Sequence, residues 1–119
     1  MKQKIQLIEK PIDAEGASVS ISEELDRSYQ YLTGISILHH IGTGNLLKNS
    51  SIDGKELFPK NFEVDFIQSN ASVSPNERFF SLAEKRAGGN KINIEFEDGG
   101  GADSYPYTLR IYLRLSNEN

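Results

Sequence analysis

The sequence has no cysteine and no tryptophan, one methionine and two histidines. Without cysteine there is no disulfide framework, no thiolate metal site and no cysteine nucleophile, so packing alone must hold the fold. The histidines, His39 and His40, are adjacent; on a strand, neighbouring side chains point to opposite faces, which keeps the pair from ligating one metal together. No serine stands in a Gly-x-Ser-x-Gly setting, so no nucleophile elbow is present. No apolar run approaches the roughly 18 residues that a membrane-spanning helix needs. The charged start Met1-Lys2-Gln3-Lys4-Ile5 has no apolar stretch behind it. With no signal peptide or transmembrane segment, the expected location is the cytoplasm or a virion.

What remains is ordinary globular material. The 119 residues are 37% hydrophobic and 25% charged, which suits one domain, 1–119, with a thin core between two layers. A formal charge of −4 argues against general attraction to nucleic acid or anionic membranes.

Period-two order dominates the chain. Lys4 to Ile12 reads as a first strand ending near Pro11, followed by a turn at Asp13-Ala14-Glu15-Gly16. Val19 and Ile21 share one face of a short strand, although Ser20 and Glu23 also form a capping box for one helical turn through Leu25. From Tyr29 to Ile41, Tyr31, Thr33, Ile35 and Ile37 oppose Leu32, Ser36 and Leu38. Both faces can be buried, and the glycine between them, Gly34, marks a bulge or a close backbone approach in a central strand. The polar run from Lys48 to Glu56, with Asp53-Gly54 inside it, reads as a long surface loop containing a tight turn. Phe62, Val64 and Phe66 then alternate with Glu63, Asp65 and Ile67, predicting a half-buried strand with an acidic outer face.

Ser74-Pro75-Asn76-Glu77 has the form of a helix start. Phe79, Leu82, Ala83 and Ala87 follow at helical spacing up to Gly88-Gly89, which predicts one short helix. Lys91 to Glu97 is a clean strand with Ile92, Ile94 and Phe96 inward. The segment from Asp98 to Asp103 reads as a flexible glycine loop, across which this strand can form a hairpin with the last one. In that final strand, Tyr107, Leu109, Ile111, Leu113 and Leu115 share one face, and Thr108, Arg110, Tyr112 and Arg114 the other. The fold expected is all-β with one short helix: an antiparallel β-sandwich, jelly-roll-like or another Greek key.

No constellation of acid, base and nucleophile emerges, so the chain reads as a non-enzyme without catalytic residues, cofactor or metal. Glu97, Asp98 and Asp103 around three glycines can in principle gather on a calcium ion, but their spacing matches no calcium loop, and a mobile acidic loop explains them. Gly42-Thr43-Gly44 lacks the later glycine and the helix start of a phosphate cradle. Arg110, Tyr112 and Arg114 are the candidate partner-contact residues, since arginine and tyrosine combine broad contact area with polar tips. The same three equally suit a solvated face whose groups are met within the chain. The expected function is therefore a structural or assembly subunit of a larger complex such as a virus particle, with protein partners, as a homo-oligomer or larger assembly, and no nucleic acid or membrane partner. A carbohydrate-binding module using Tyr29, Tyr31, Tyr105 or Tyr107 is the alternative. A small hydrolase or isomerase would need His39 or His40 in a pocket beside a carboxylate.

Overall fold

In the computed structural model the residues described are 3–38, 44–64, 68–69, 79–102 and 104–117, with positions 38, 68–69 and 80–86 described by their backbone. They form β1 (Gln3–Ile12), β2 (Ser18–Glu24), β3 (Tyr31–Leu38), β4 (Leu46–Ile52), β5 (Lys55–Glu56), β6 (Phe62–Glu63), β7 (Gln68–Ser69), β8 (Phe80–Arg86), β9 (Lys91–Glu97) and β10 (Tyr107–Ser116). One sheet runs β1-β10-β3 and continues with β8 and β7 beside β3; the other runs β2-β9-β4 and continues with β5 and β6 beside β4. All pairings are antiparallel except the two-residue contact between β3 and β7.

The pairing partners give the winding. β1 lies along β10, β2 along β9, β3 along β8, and β4 along β5 and β6. Successive strands along the chain, β1 to β4, alternate between the two sheets. The chain is thus one long double strand, folded back near its middle and wrapped around a single core, which is a jelly-roll sandwich.

Sequence order fills that core. On β10, Leu109, Ile111, Leu113 and Leu115 are fully buried, and on β9 Ile92, Ile94 and Phe96 meet them from the opposite sheet. Ile8, Ile12, Ile21 and Leu25 close one side. Two bulges reset the alternation in the inner strands. Arg114 and Leu115 are consecutive on β10 but face Gly34 and Leu32 on β3, so Thr33 is an extra residue. The shift lets Leu32 join Ile35 and Ile37 in the core, although strict alternation would send it to the opposite face. Lys48 is the equivalent extra residue on β4, and Leu47, Ser50 and Ile52 are all buried as a result.

Four local expectations are corrected. Residues 80–86 are strand β8, not helix, and no α-helix occurs among the described residues; the expected start at 74–77 lies outside them. Pairing explains the change. β3 needs a second neighbour for its buried backbone, and β8 supplies it, with Ile35 opposite Phe80 and Gly34 opposite Ser81. A lone helix of three to four turns is only marginally stable on its own hydrogen bonds and does not compete.

The supposed loop from Lys48 begins instead as the inner strand β4. Its polar residues are tolerated because the buried Ser50 hydroxyl oxygen accepts the Phe58 N–H at 3.1 Å. The tight turn within that run is present: Asp53 and Gly54 have φ of 52° and 74°, as a two-residue hairpin turn between β4 and β5 requires. The helical turn weighed from Ser20 is absent, since β2 runs extended to Glu24. Finally, β9 and β10 form no hairpin. They belong to different sheets, so the glycine segment crosses the sandwich. Of the strand expected from Phe62 to Ile67, β6 keeps two residues, and positions 65–67 lie outside the described residues.

Candidate functional site

The crossover built on Asp98 carries a dense cluster of polar hydrogen bonds among the described residues. Asp98 is 3% exposed. Its Oδ2 accepts the Tyr105 hydroxyl at 2.6 Å and the N–H groups of Gly16 and Gly100 at 3.0 Å, and its Oδ1 accepts the Tyr107 hydroxyl at 2.6 Å. Its own N–H donates to the Ala17 carbonyl at 2.8 Å. Burial opposes the charge, but the two phenols and two amides outweigh it and hold the carboxyl below the ordinary aspartate range. Burial, the Asp98 hydrogen bond and the Asp98 charge together push the Tyr107 phenol well above its usual range.

The segment read as a mobile acidic loop is therefore pinned at its first residue. The Asp98 carboxylate is engaged by protein donors; Asp103, the third acid weighed with Glu97 and Asp98 for a cation, lies outside the described residues. Among the described residues no group of three His, Cys, Asp or Glu side chains is placed to hold a metal ion.

The tyrosines proposed as a ligand platform do not line one exposed concave face. Tyr29, Tyr105 and Tyr107 pack against the core, and Tyr31 sits half-buried between β8 and β10. His39 and His40 lie outside the described residues, as do Gly42 and Thr43. Across β2, β9 and β4, a shallow groove of about 280 Å³ is lined by Ser20, Ser22, Asn49, Ser51, Asn93 and Glu95 among others. Ile21 and Ile94 also line it, so the groove combines hydrogen-bonding groups with an apolar contribution.

The outer face of the other sheet is different. In the β1–β10 register Ile5 stands opposite Arg114, Leu7 opposite Tyr112, Glu9 opposite Arg110 and Pro11 opposite Thr108. These positions point away from the core, because their neighbours Ile8, Ile12, Leu113, Ile111 and Leu109 are buried. Among the described residues Ile5, 56% exposed, and Leu7, 43% exposed, are the exposed large hydrophobic side chains. They lie two positions apart on one strand, beside half-buried Tyr112. Phe79 extends the surface, its ring 5.2 Å beneath the Arg114 guanidinium.

The three residues singled out from sequence therefore share this face but play unequal parts. Arg114 serves its own chain: Nε donates to the Thr33 hydroxyl and Nη2 to the Thr33 carbonyl, each at 3.1 Å, so the guanidinium fastens the bulge. Arg110 makes an exposed ion pair with Glu9, Nε to Oε2 3.1 Å, worth about 0–1 kcal/mol. Tyr112 presents its ring beside Leu7. Sequence reading missed Ile5 and Leu7, yet the signal was there: they are out of phase with Ile8 and Ile12, so β1 is apolar on both faces.

β1 is also an edge. Among the described residues β10 is its one strand partner. Its inward side is fastened to the end of β2. Gln6 Nε2 donates to the Glu24 carbonyl, Gln6 Oε1 accepts the Asp26 N–H, each at 3.1 Å, and Lys4 is ion-paired with Asp26. That pair raises the Lys4 pKa and lowers that of Asp26 through a mutual hydrogen bond and opposite charge.

No helix among the described residues is long and apolar enough to cross a membrane. In comparisons with known proteins, no family model, no curated protein and no solved structure matches the chain.

Proposed function

We propose that this chain is a non-enzymatic assembly subunit that docks against protein through the outer face of β1 and β10. One observation carries the reading: Ile5 and Leu7 stand exposed side by side on an edge strand, next to Tyr112. Scattered surface hydrophobics need no explanation, but adjacent ones joined to an aromatic ring on a strand with no second partner among the described residues are a combination that interfaces use. Jelly rolls occur in virus capsids as well as in lectin domains and cupins, so the winding alone selects no role. A virus particle is one assembly such a subunit would suit.

The test is the native mass of complexes containing the chain in extracts of its source. The wild-type chain is expected to run well above one chain mass, and an Ile5→Lys/Leu7→Lys variant at one chain mass with an unchanged melting temperature. A wild-type chain that runs as a monomer in extract sinks the reading. Arg114→Glu is a poor probe, because it also breaks the bonds to Thr33.

A further inference from the structure

We infer that the groove over β2, β9 and β4 is a binding site for a neutral saccharide. It lies on the outer face of the second sheet, opposite the proposed docking face, and the inference goes beyond that reading.

The strand registers assemble six polar side chains into two rows. Ser20, Glu95 and Asn49 stand abreast across β2, β9 and β4, and Ser22, Asn93 and Ser51 stand abreast in the next row. All six point outward, because the residues that alternate with them are buried: Ile21 on β2, Ile92, Ile94 and Phe96 on β9, and Ser50 and Ile52 on β4. Neighbouring strands lie about 4.8 Å apart and same-face residues on one strand about 6.8 Å apart, so the array is roughly 10 Å by 7 Å, a footprint for one or two sugar rings. The groove above it, about 280 Å³, is close to the roughly 300 Å³ at which small-molecule sites begin.

These side chains are not used by the fold. Elsewhere on the outward faces polar groups serve their own chain: Arg114 holds Thr33, Arg110 pairs with Glu9, Lys48 with Glu97 and Lys4 with Asp26. None of the six in the groove makes a side-chain hydrogen bond or ion pair among the described residues. Nor does the ladder beneath them offer an edge. β9 is hydrogen-bonded by β2 on one side and β4 on the other, so a peptide strand finds no open backbone to extend, and a ligand here is recognised by side chains.

Their chemistry selects the ligand. Three serine hydroxyls and two asparagine amides both donate and accept, as sugar hydroxyls do, and the Glu95 carboxylate accepts from two donors. The amides and the carboxylate each carry two polar atoms side by side, which suits adjacent hydroxyls on a ring. No lysine, arginine or histidine lines the groove, so a phosphate or other anion would meet Glu95 without a counter-charge. The next acid along β9, Glu97, is balanced by Lys48 at 3.7 Å. No aromatic ring lines it either, which removes the stacking platform that a base or flat heterocycle needs. Ile21 and Ile94 supply a small apolar contribution for the C–H face of a sugar. Without a stacking ring the affinity comes from hydrogen bonds that compete with water, and a dissociation constant on the order of 1 mM is expected.

The experiment uses the purified full chain labelled with nitrogen-15. It is titrated by NMR with maltose, cellobiose, lactose, mannobiose and diacetylchitobiose, each to about 50 mM, and with sialyllactose and spermidine as charged probes. At least one neutral disaccharide should give saturable shifts in the side-chain amide signals of Asn49 and Asn93 and in the backbone signals of 20–22 and 93–95. Sialyllactose should bind no tighter than lactose. Asn49→Ala/Asn93→Ala should weaken binding at least tenfold with an unchanged melting temperature, and Ser22→Ala, which removes one hydroxyl, about threefold.

Absence of saturable shifts with every neutral disaccharide overturns the inference, as do shifts confined to other parts of the chain. Binding that survives the double alanine variant overturns the site. Saturation by spermidine or sialyllactose alone overturns the ligand class.

Discussion

Replacing Asp98 is the sharpest test of how the two sheets are tied together. The carboxylate is buried and accepts four hydrogen bonds, two from tyrosine hydroxyls and two from backbone N–H groups. Asp98→Ala leaves all four donors without that acceptor. A stranded buried donor costs about 1–3 kcal/mol. Tyr105 is half-exposed and its hydroxyl can turn to water, so the sum is smaller than four full penalties, about 4 kcal/mol, against a typical total stability of about 5–15 kcal/mol.

Asp98→Asn keeps the volume and one acceptor oxygen but turns an NH2 group towards donors, and should cost about 2–3 kcal/mol. Urea unfolding followed by circular dichroism gives both values. The pH dependence has a definite sign. The folded-state pKa of Asp98 lies below its unfolded value, so its contribution is complete above the ordinary aspartate pKa of about 3.9 and is lost as pH falls through the folded value. The stability gap between wild type and Asp98→Asn should be constant from pH 7 to about pH 5 and close below about pH 4. A loss under about 1 kcal/mol for Asp98→Ala, or a gap that widens in acid, would refute the account of this crossover.

Four further outcomes follow from the same contacts. Tyr105 and Tyr107 have raised pKa values, Tyr105 chiefly through its hydrogen bond to Asp98 and Tyr107 chiefly through burial. An ultraviolet titration should therefore show both phenols ionising above the ordinary tyrosine range, Tyr107 only with unfolding, and stability falling as pH rises past about 10. Gly99→Ala places a Cβ 2.2 Å from the Gly44 carbonyl group and should cost at least about 2–3 kcal/mol in chemical denaturation, because backbone must move. Ser50→Ala removes the acceptor for the Phe58 N–H and should cost about 1–2 kcal/mol by the same assay. Gly34→Ala brings a Cβ to 3.1 Å from Arg114 Nη2 and from Phe79 Cβ; the guanidinium must give way, so a lowered melting temperature is expected without loss of the sandwich circular dichroism signature.

How much of this was legible in the sequence depended on whether a signal was local. β9 was readable to the residue and β10 to within one residue of its start, because each alternates cleanly and each has one face in the core. The Asp53-Gly54 turn was readable because few residue pairs adopt two positive φ values. Residues 80–86 were misread for the converse reason: their spacing satisfies a helix, and only the unpaired side of β3 makes a strand the better answer. β4 was misread because its polarity resembles a loop, and nothing nearby in sequence shows that Phe58 donates to Ser50. Of the candidate site, Arg110, Tyr112 and Arg114 were found as a face, but Ile5 and Leu7 lie more than 100 positions away along the chain and join that face only through the β1–β10 register.

The amino-acid order by itself determined the alternating strands, the turns and the all-β class, since side-chain period and backbone preference act over a few residues. Tertiary structure alone decided which strands share a sheet, where the two bulges reset the alternation, and that Asp98 is a buried tie instead of a mobile acid. It also decided that the apolar outer side of β1 lies beside Tyr112. Those outcomes depend on satisfying backbone groups and a buried charge between segments far apart in sequence, and no short window carries that information.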